Sequence, residues 1–224
     1  MSKKVKQEVS CPNCGHKQNI EIWESVNVSL TPELKERILS HDFFVFECSE
    51  CGNKMPLAYD CLYNDIKKHA MVWLLPDYSE ELRREVNEAK TIEVDGKPFG
   101  NIYMNRIVET PNGLKEKIMI WDEGYDDRII ELLKLVYMSQ LGQITGNEAL
   151  MNEGITEMLF DAAEGKHSFV LFFEKIEPLA ITMSEDVYIK LYEDFIEIAE
   201  HETPAGYFKV DYDWARKVFA KKQQ

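Results

Sequence analysis

Along the first third of the chain, hydrophobic and polar residues alternate in short runs, a pattern typical of strands with one buried face. Residues 19–28 show it most clearly, with apolar side chains of one parity at Ile20, Ile22, Val26 and Val28. Further strands are predicted at residues 43–46, 54–58 and 69–75. After the first strand, Thr31 is a favourable N-cap and Pro32 a favourable first-turn residue, so a short helix is expected to run to about Leu39.

In the middle of the chain the hydrophobic spacing becomes that of helices. The predicted elements are a polar helix at 79–89, a hairpin turn at Asp95-Gly96, an extended segment at 99–108 and a helix at 114–121. Gly124 then separates this last helix from a second one at residues 126–140. Because the second helix is apolar almost all round, we expect it to lie inside a core or at a subunit interface.

After residue 141, helices and strands follow one another in short stretches. The predicted elements are a helix at 147–163 stopped by Gly165, strands at 169–173 and 179–183, a helix from Ser184 to about 200, a strand at 206–210 and a last helix capped by Asp211 or Asp213. This order of elements indicates an α+β fold.

Two copies of the sequence C-x-x-C-G lie in the strand-rich first part of the chain. One contains Cys11 and Cys14, and the other contains Cys48 and Cys51. Two cysteines three residues apart in a tight turn can place both sulfur atoms on one ion, and four thiolates form the closed shell of structural zinc. Since strands flank both pairs and a helix lies between them, we predict an N-terminal zinc-ribbon-like β module with an inserted helix, followed by mixed helices and strands.

Other uses of these cysteines fit the sequence less well. A thioredoxin-type redox motif has one C-x-x-C at the start of a helix, whereas here two matching pairs precede glycine and polar residues. A disulfide within each pair would be strained and is uncommon in the cytosol. A rubredoxin-type iron site uses the same four sulfurs and stays an alternative to zinc. Cys61 is interpreted as a small buried residue, and His16 as a surface residue near the site.

Charge and hydropathy limit the classes of function. The 224 residues carry 40 acidic and 26 basic side chains, a formal net charge of -14, which disfavours nucleic-acid binding. Lys3, Lys4 and Lys6 are interpreted as a solvated basic end of the chain. The longest apolar stretch, residues 70–75, is far too short to span a bilayer, and the N-terminal residues do not form a signal peptide. We therefore expect a cytoplasmic protein that does not associate with membranes.

Six segments occur in the order found in one known family. They are CPNCG at 11–15, CSECG at 48–52, LYND at 62–65, MVWLLP at 71–76, EKI at 116–118 and DDRIIELLK at 126–134. On these segments the chain resembles the CpXC domain family, a group of bacterial and archaeal proteins named for its cysteine motif. The resemblance implies a zinc-ribbon module of unassigned molecular function, with the four cysteines as ligands. Ser49 departs from the pattern, because the motif name places proline there.

The resemblance covers roughly the first 140 residues and suggests a division of the chain into three parts. Residues 1–76 are expected to form the zinc-ribbon-like module. Residues 77–141 are expected to form the remainder of the family-like domain, with two C-terminal helices. Residues 142–224 are expected to form an α+β extension.

These features favour a non-enzymatic zinc-binding protein whose metal is structural and which acts through a protein partner or a second copy of itself. The sequence has no P-loop, dinucleotide-binding or nucleophile-elbow motif. The alternative is an enzyme whose site combines the scattered residues Asp65, Asp127 and Arg128, with Asp60 and Asp126 as further candidates. Nucleic-acid binding is a third hypothesis, which the acidity disfavours.

Overall fold

The computed structural model of the chain describes residues 2–40, 42–88, 93–94, 97–98, 103–163 and 165–222. Helices and mixed β-sheets occur together, which confirms the predicted α+β class. The chain forms two compact units, one of Met1–Lys115 with Ala205–Phe208 and the other of Glu116–Pro204 with Lys209–Gln224. The three-part division at residues 76 and 141 stays a prediction.

The first unit is built on a mixed β-sheet. Its strands are β1 (Lys3–Ser10), β2 (Lys17–Asn27), β3 (Val45–Glu47), β4 (Lys54–Pro56), β5 (Cys61–Asp65), β6 (Ala70–Leu74), β7 (Glu93–Val94), β8 (Lys97–Pro98) and β9 (Met104–Val108). The sheet has the order β1-β2-β5-β6-β9, with parallel pairing of β2 to β5 and of β6 to β9. Strands β3 and β4 pair separately, as do β7 and β8. The predicted turn Asp95-Gly96 lies outside the described residues.

Strand β1 is an element that the sequence pattern did not predict. Its lysines are exposed, as expected, but they lie along an edge strand paired with β2. Lys3 and Lys4 form ion pairs with Glu24 and Glu21, at 2.5 Å and 2.7 Å. Charged side chains on an edge strand hinder its pairing with other chains, so the polar sequence is compatible with β structure at this position.

The helices that begin in the first unit are α1 (Glu33–Leu39), α2 (Glu80–Glu88) and α3 (Pro111–Asp122). Helix α1 buries Leu34 and Ile38. The predicted N-cap at Thr31 is wrong, because Pro32 occupies the cap position and the Thr31 hydroxyl instead donates to the backbone oxygen of Asn27 at 2.9 Å.

A hydrophobic cluster joins the sheet to helix α2 and to the returning segment Ala205–Phe208. Its buried members are Met71, Leu75, Ile107 and Tyr207, and Leu82 and Val86 of α2 pack against it. The predicted strand at 206–210 is reduced to one parallel bridge between Arg106 and Phe208. Within it, the N–H of Ile107 donates to the oxygen of Phe208 at 2.9 Å.

The second unit combines helices with an antiparallel sheet. Its elements are α4 (Asp127–Ser139), α5 (Leu141–Thr145), a 3-10 helix (Glu148–Asn152), β10 (Ile155–Ala163), β11 (Lys166–Phe173), β12 (Leu179–Thr182), α6 (Glu185–His201) and α7 (Tyr212–Lys222). The strand order is β10-β11-β12. As predicted, Ser184 caps α6, accepting from the N–H of Val187, and Asp211 caps the start of α7, accepting from the N–H of Trp214.

The helix predicted at 147–163 is wrong, since most of this segment is strand β10. Its apolar residues fit both a helical and a strand period, and pairing with β11 selects the strand. Met158 and Phe160, two residues apart, are the buried side chains of one face. Gly165, with φ +71°, lies between the two strands and does not end a helix.

Helix α4 has the nearly all-round apolar surface that the sequence predicts. Ile129, Ile130, Leu132 and Leu133 are fully buried, and α6 and α7 pack against the helix. The Asp126 side chain caps it by accepting from the N–H of Arg128 at 2.9 Å. The helix is therefore core, the first of the two predicted locations, and its apolar surface is no longer an argument for a subunit interface.

Candidate metal centre

The two cysteine pairs fold into two turns with the same backbone hydrogen bonds. In the first, Cys11 N–H donates to the oxygen of His16 at 2.8 Å, and Gly15 N–H donates to the oxygen of Cys11 at 2.9 Å. In the second, Cys48 N–H donates to Asn53, and Gly52 N–H donates to Cys48, both at 2.9 Å. The repeated C-x-x-C-G sequence thus produces two copies of one knuckle.

The glycine of each knuckle is required by backbone conformation. Gly15 has φ +74° and Gly52 has φ +69°, in the left-handed region that side-chain-bearing residues rarely adopt. A Cβ atom at either position would meet no neighbour within 4 Å, so crowding is not the reason for glycine. The positive φ angle of the turn is therefore the reason for glycine at both positions.

The strands bring the two knuckles face to face. The first knuckle follows β1 and leads into β2, and the second joins β3 to β4. The Sγ atoms of Cys11 and Cys51 lie 3.7 Å apart, and those of Cys14 and Cys48 lie 3.6 Å apart. All four sulfur atoms lie within 4.8 Å of one another.

These separations fit a tetrahedral metal site. A zinc–sulfur bond of about 2.3 Å places the corners of a tetrahedron about 3.8 Å apart. The separations of 3.7 Å and 3.6 Å are close to this value. Four sulfur atoms at such distances can all be thiolates only if a cation offsets their mutual repulsion. The described residues therefore offer a preformed site for one metal ion, with four protein ligands and no open position.

Burial divides each knuckle into an inner and an outer cysteine. Cys11 and Cys48 are buried, whereas Cys14 and Cys51 are exposed. The inner pair packs with the ring of Phe46, and partly buried apolar residues surround this group at Val9, Ile20, Met55 and Leu57. The cluster is small, so a metal ion would add much of the cohesion of this part of the molecule.

Hydrogen bonds act on the outer sulfur atoms. The Asn13 side-chain amide, 3.5 Å away, and the backbone N–H of Asn53 lower the pKa of the Cys51 thiol from 9.0 to about 6. At Cys14 the backbone N–H of His16 also favours the thiolate, but removal from water and the neighbouring sulfur atoms together raise the pKa to about 12. Without a cation, the thiol of Cys51 therefore loses its proton more readily than the thiol of Cys14.

A side chain that the sequence did not single out ties the two knuckles together. Gln18, on β2, donates to the oxygen of Glu47 at 3.0 Å. Its own oxygen accepts from the backbone N–H of Ser49 at 2.8 Å and from the Ser49 hydroxyl at 2.9 Å. A proline at residue 49 could supply neither donor. The sequence places Gln18 two residues after His16, at the start of the strand that follows the first knuckle, and this position indicated no partner for its side chain.

The other residues considered near the site have separate places. Cys61 is fully buried on β5, outside the sulfur cluster, and burial raises its thiol pKa to about 12. This confirms its interpretation as a small buried residue. His16 contributes its backbone to the first knuckle, and the metal-ligand cluster of the described residues contains the four cysteines alone.

The acidic residues of the alternative enzyme hypothesis form hydrogen bonds and ion pairs within their own units. Asp65, in the first unit, accepts from the backbone N–H groups of Lys67 and Lys68 and lies 3.7 Å from the Lys35 ammonium group. Asp127, in the second unit, is 1% exposed and pairs with a buried lysine, the Nζ–Oδ2 distance being 3.0 Å.

Arg128 belongs to the cap of helix α4. Its Nε and terminal nitrogen donate to the two carboxylate oxygens of Asp126, at 2.9 Å and 2.6 Å. The same carboxylate accepts from the backbone N–H of Arg128. The arginine and the first aspartate of the DDR segment therefore fix the start of a helix, and their pairing explains both residue types there.

No helix among the described residues combines the length and hydropathy that a membrane span requires.

Comparison with known proteins places the chain in a family. No curated protein and no solved structure matches the chain significantly. The family described as CpXC protein matches residues 9–134, which include all four clustered cysteines. With more than half of its length matched and the cysteines of the motif gathered at one point, the chain belongs to the CpXC family.

Proposed function

We propose that the protein is a non-enzymatic zinc-binding protein in which Cys11, Cys14, Cys48 and Cys51 hold one structural zinc ion. The observation that carries this proposal is the gathering of the four sulfur atoms within 4.8 Å of one another, a distance that one metal ion can span. An all-cysteine shell is typical of structural zinc, because it leaves no position for a reactive water. Iron of the rubredoxin type is the alternative metal, since it takes the same four ligands.

The zinc assignment is tested by metal analysis of the purified full-length chain. We expect one zinc per chain, no visible absorption from iron, and loss of at least half of the zinc in Cys48→Ser. The matched control is Cys61→Ala, which removes a thiol outside the cluster and should keep one zinc. A Cys48→Ser protein with a full complement of zinc would contradict the four-cysteine assignment.

We further propose that the protein works in the cytoplasm as an interaction or regulatory module. A reducing compartment keeps thiols free for metal. The exposed apolar residues Leu30 (63% exposed) and Ile66 (45% exposed) support a protein partner. They lie on adjoining loops, since the Ser29 hydroxyl oxygen accepts from the N–H of Ile66 at 3.2 Å. The net charge of -14 supports a protein rather than a nucleic acid as that partner.

The partner is tested by affinity purification from the native host, comparing the wild-type chain with the double variant Leu30→Ser, Ile66→Ser. We expect a protein recovered by the wild-type chain to be depleted with the variant. Light scattering distinguishes a second copy from a different protein, because a homodimer has twice the 26.1 kDa mass of the chain. An equal set of proteins recovered by both forms would contradict docking on these loops.

A further inference from the structure

The second unit contains a pocket between helix α4 and strand β10, with Tyr212 at its side. Its volume is about 410 Å³, which is in the range of sites that hold small organic molecules. The four clustered cysteines belong to the first unit, so the pocket is not part of the proposed zinc site.

Two residues of α4, Glu131 and Lys134, give the pocket a wall of ionisable groups. The Lys134 ammonium group lies 2.7 Å from a carboxylate oxygen of Glu116 and 3.2 Å from one of Glu131. All three residues are at most 8% exposed. Glu116 also accepts from the backbone N–H of Phe160 at 2.5 Å, which fixes its carboxylate beside β10. The ammonium group is therefore held between two buried acids.

This ammonium group has a donor to spare. An ammonium group carries three N–H donors, and the contacts of Lys134 with Glu116 and Glu131 use two of them. The third has no acceptor among the residues that the structure describes. Burial acts to lower the pKa of Lys134, but the two acids outweigh it and raise the pKa, so the side chain stays a hydrogen-bond donor. An oxygen atom of a molecule in the pocket can accept from it.

The same wall disfavours charged ligands of either sign. Burial raises the pKa of Glu131, which favours its neutral form, and the charge of Lys134 repels a cation. An anion gains little from Lys134, because Glu116 already offsets that charge at 2.7 Å. Burying an ion that has no partner of its own is costly. The wall therefore suits an uncharged acceptor.

Much of the remaining lining is apolar. Met138 of α4, Ile155 and Met158 of β10 and the ring of Tyr212 supply this surface. Thioether side chains adapt their shape to different apolar molecules. A ligand that suits both parts of the pocket has a short apolar body and one oxygen atom that accepts a hydrogen bond.

We propose that this pocket binds a small uncharged carbonyl compound, whose oxygen accepts from the Lys134 ammonium group and whose apolar body lies along Met138 and Met158. This binding is a function separate from the proposed zinc site. Its failure would leave the zinc assignment unchanged, and the reverse holds as well.

The test follows binding by NMR on the zinc-loaded full chain, labelled with carbon-13 in the methionine methyl groups. Met138→Leu and Met158→Leu identify the two signals of the pocket. The probes are cyclohexanone, cyclohexane, cyclohexylammonium and cyclohexanecarboxylate, which share one ring and are compared at equal free concentration.

We expect cyclohexanone to shift both signals and to bind at least tenfold more tightly than each of the other probes, because a hydrogen bond to a charged donor is lost in cyclohexane and a charge is added in the two ions. Equal or tighter binding of any of those three would overturn the proposal. So would the absence of binding by both cyclohexanone and the open-chain ketone 2-hexanone.

A pair of matched variants locates the binding. Thr156→Trp fills the pocket from an exposed position on β10, leaves the charged wall unchanged, and should weaken cyclohexanone binding at least tenfold. The control is Thr182→Trp, the same change at an exposed position on β12 outside the pocket lining, which should bind as the wild-type chain does. Unchanged affinity in folded Thr156→Trp, or an equal loss in Thr182→Trp, would overturn the assignment.

Lys134→Met tests the donor, because it removes the ammonium group and keeps an unbranched side chain. We expect the folded variant to bind cyclohexanone no more tightly than cyclohexane. A preserved preference for cyclohexanone would show that Lys134 is not the donor. The result with Thr156→Trp does not depend on whether Lys134→Met folds.

Discussion

At the scale of single residues, the metal site depends on side chains of three kinds. The cysteines supply sulfur, and the glycines allow the left-handed backbone of each knuckle. Gln18 and Asn13 orient the site through amide groups, one bridging to the second knuckle and the other donating to the Cys51 sulfur. The cysteines and glycines were predictable, because their chemistry is local. The amides were not, since their partners are about 30 residues or more away in the chain.

Ser49→Pro tests the bridge from Gln18. The substitution restores the proline of the family motif, and Pro12 occupies the corresponding place in the first knuckle. It also removes both donors to the Gln18 oxygen, so we expect the free energy of unfolding to fall by about 1 kcal/mol. Chemical denaturation of the zinc-loaded protein measures this.

A double-mutant cycle with Gln18→Ala supplies the control. If Gln18 and Ser49 act through their mutual hydrogen bonds, the two single losses overlap. The double variant should then lose about 1 kcal/mol less free energy of unfolding than the sum of the two single losses. Strict additivity of the two losses, or an increase in stability with Ser49→Pro, would show that the bridge contributes nothing.

At the scale of elements, the sequence predicted those whose hydrophobic period is unambiguous. Helix α4 is one, because its apolar residues allow no strand interpretation over that length. Strand β10 is the contrary case, since its apolar residues also fit a helix and only pairing with β11 decides. Strand β1 was not predicted, because it is an edge strand rich in lysine and lacks a clear row of apolar residues. In both strands, tertiary pairing outweighs the local pattern.

A histidine connects three elements of the second unit. His167 on β11 lies with Nε2 3.0 Å from Glu123, after α3, and with Nδ1 2.9 Å from Glu185, at the start of α6. The Tyr125 hydroxyl also contacts Nδ1, at 2.9 Å. Burial acts to lower the pKa of His167, but the hydrogen bonds to the two carboxylates outweigh it and raise the pKa above 6.5. When protonated, the ring can pair with both carboxylates and so link the three elements.

The sign of the resulting pH dependence follows from this raised pKa. The stabilisation by His167 is fully present below pH 6.5, the value for the unfolded chain, and is lost as the pH rises through the higher folded value. We expect His167→Gln to cost up to about 1 kcal/mol at pH 6 and less at pH 8. Urea denaturation at both pH values measures the difference between variant and wild type. A cost that is equal at the two pH values, or larger at pH 8, would contradict the charged bridge.

At the scale of the whole molecule, the four clustered cysteines and the small apolar cluster beside them belong to one of two compact units. We expect a chelator to unfold the knuckles and the β3–β4 pair, because their buried residues are few without the metal. The β10–β11 pair of the second unit should keep its structure, since its core includes Phe160 and Phe169.

Hydrogen exchange with and without chelator measures this division. The amides of residues 45–56 should lose protection at least tenfold more than those of residues 157–172. Equal loss in both segments would mean that the metal supports the whole chain, and no loss in either would mean that the knuckles fold without it.

In the proposed metal centre, four cysteine sulfurs surround one zinc ion. X-ray absorption at the zinc edge of the purified full-length protein tests it most directly, because it reports the number and type of the atoms bound to the metal. We expect four sulfur atoms at about 2.3 Å and no nitrogen or oxygen in the first shell. Zinc bound by fewer than four sulfurs, with nitrogen or oxygen completing the shell, would contradict the claim.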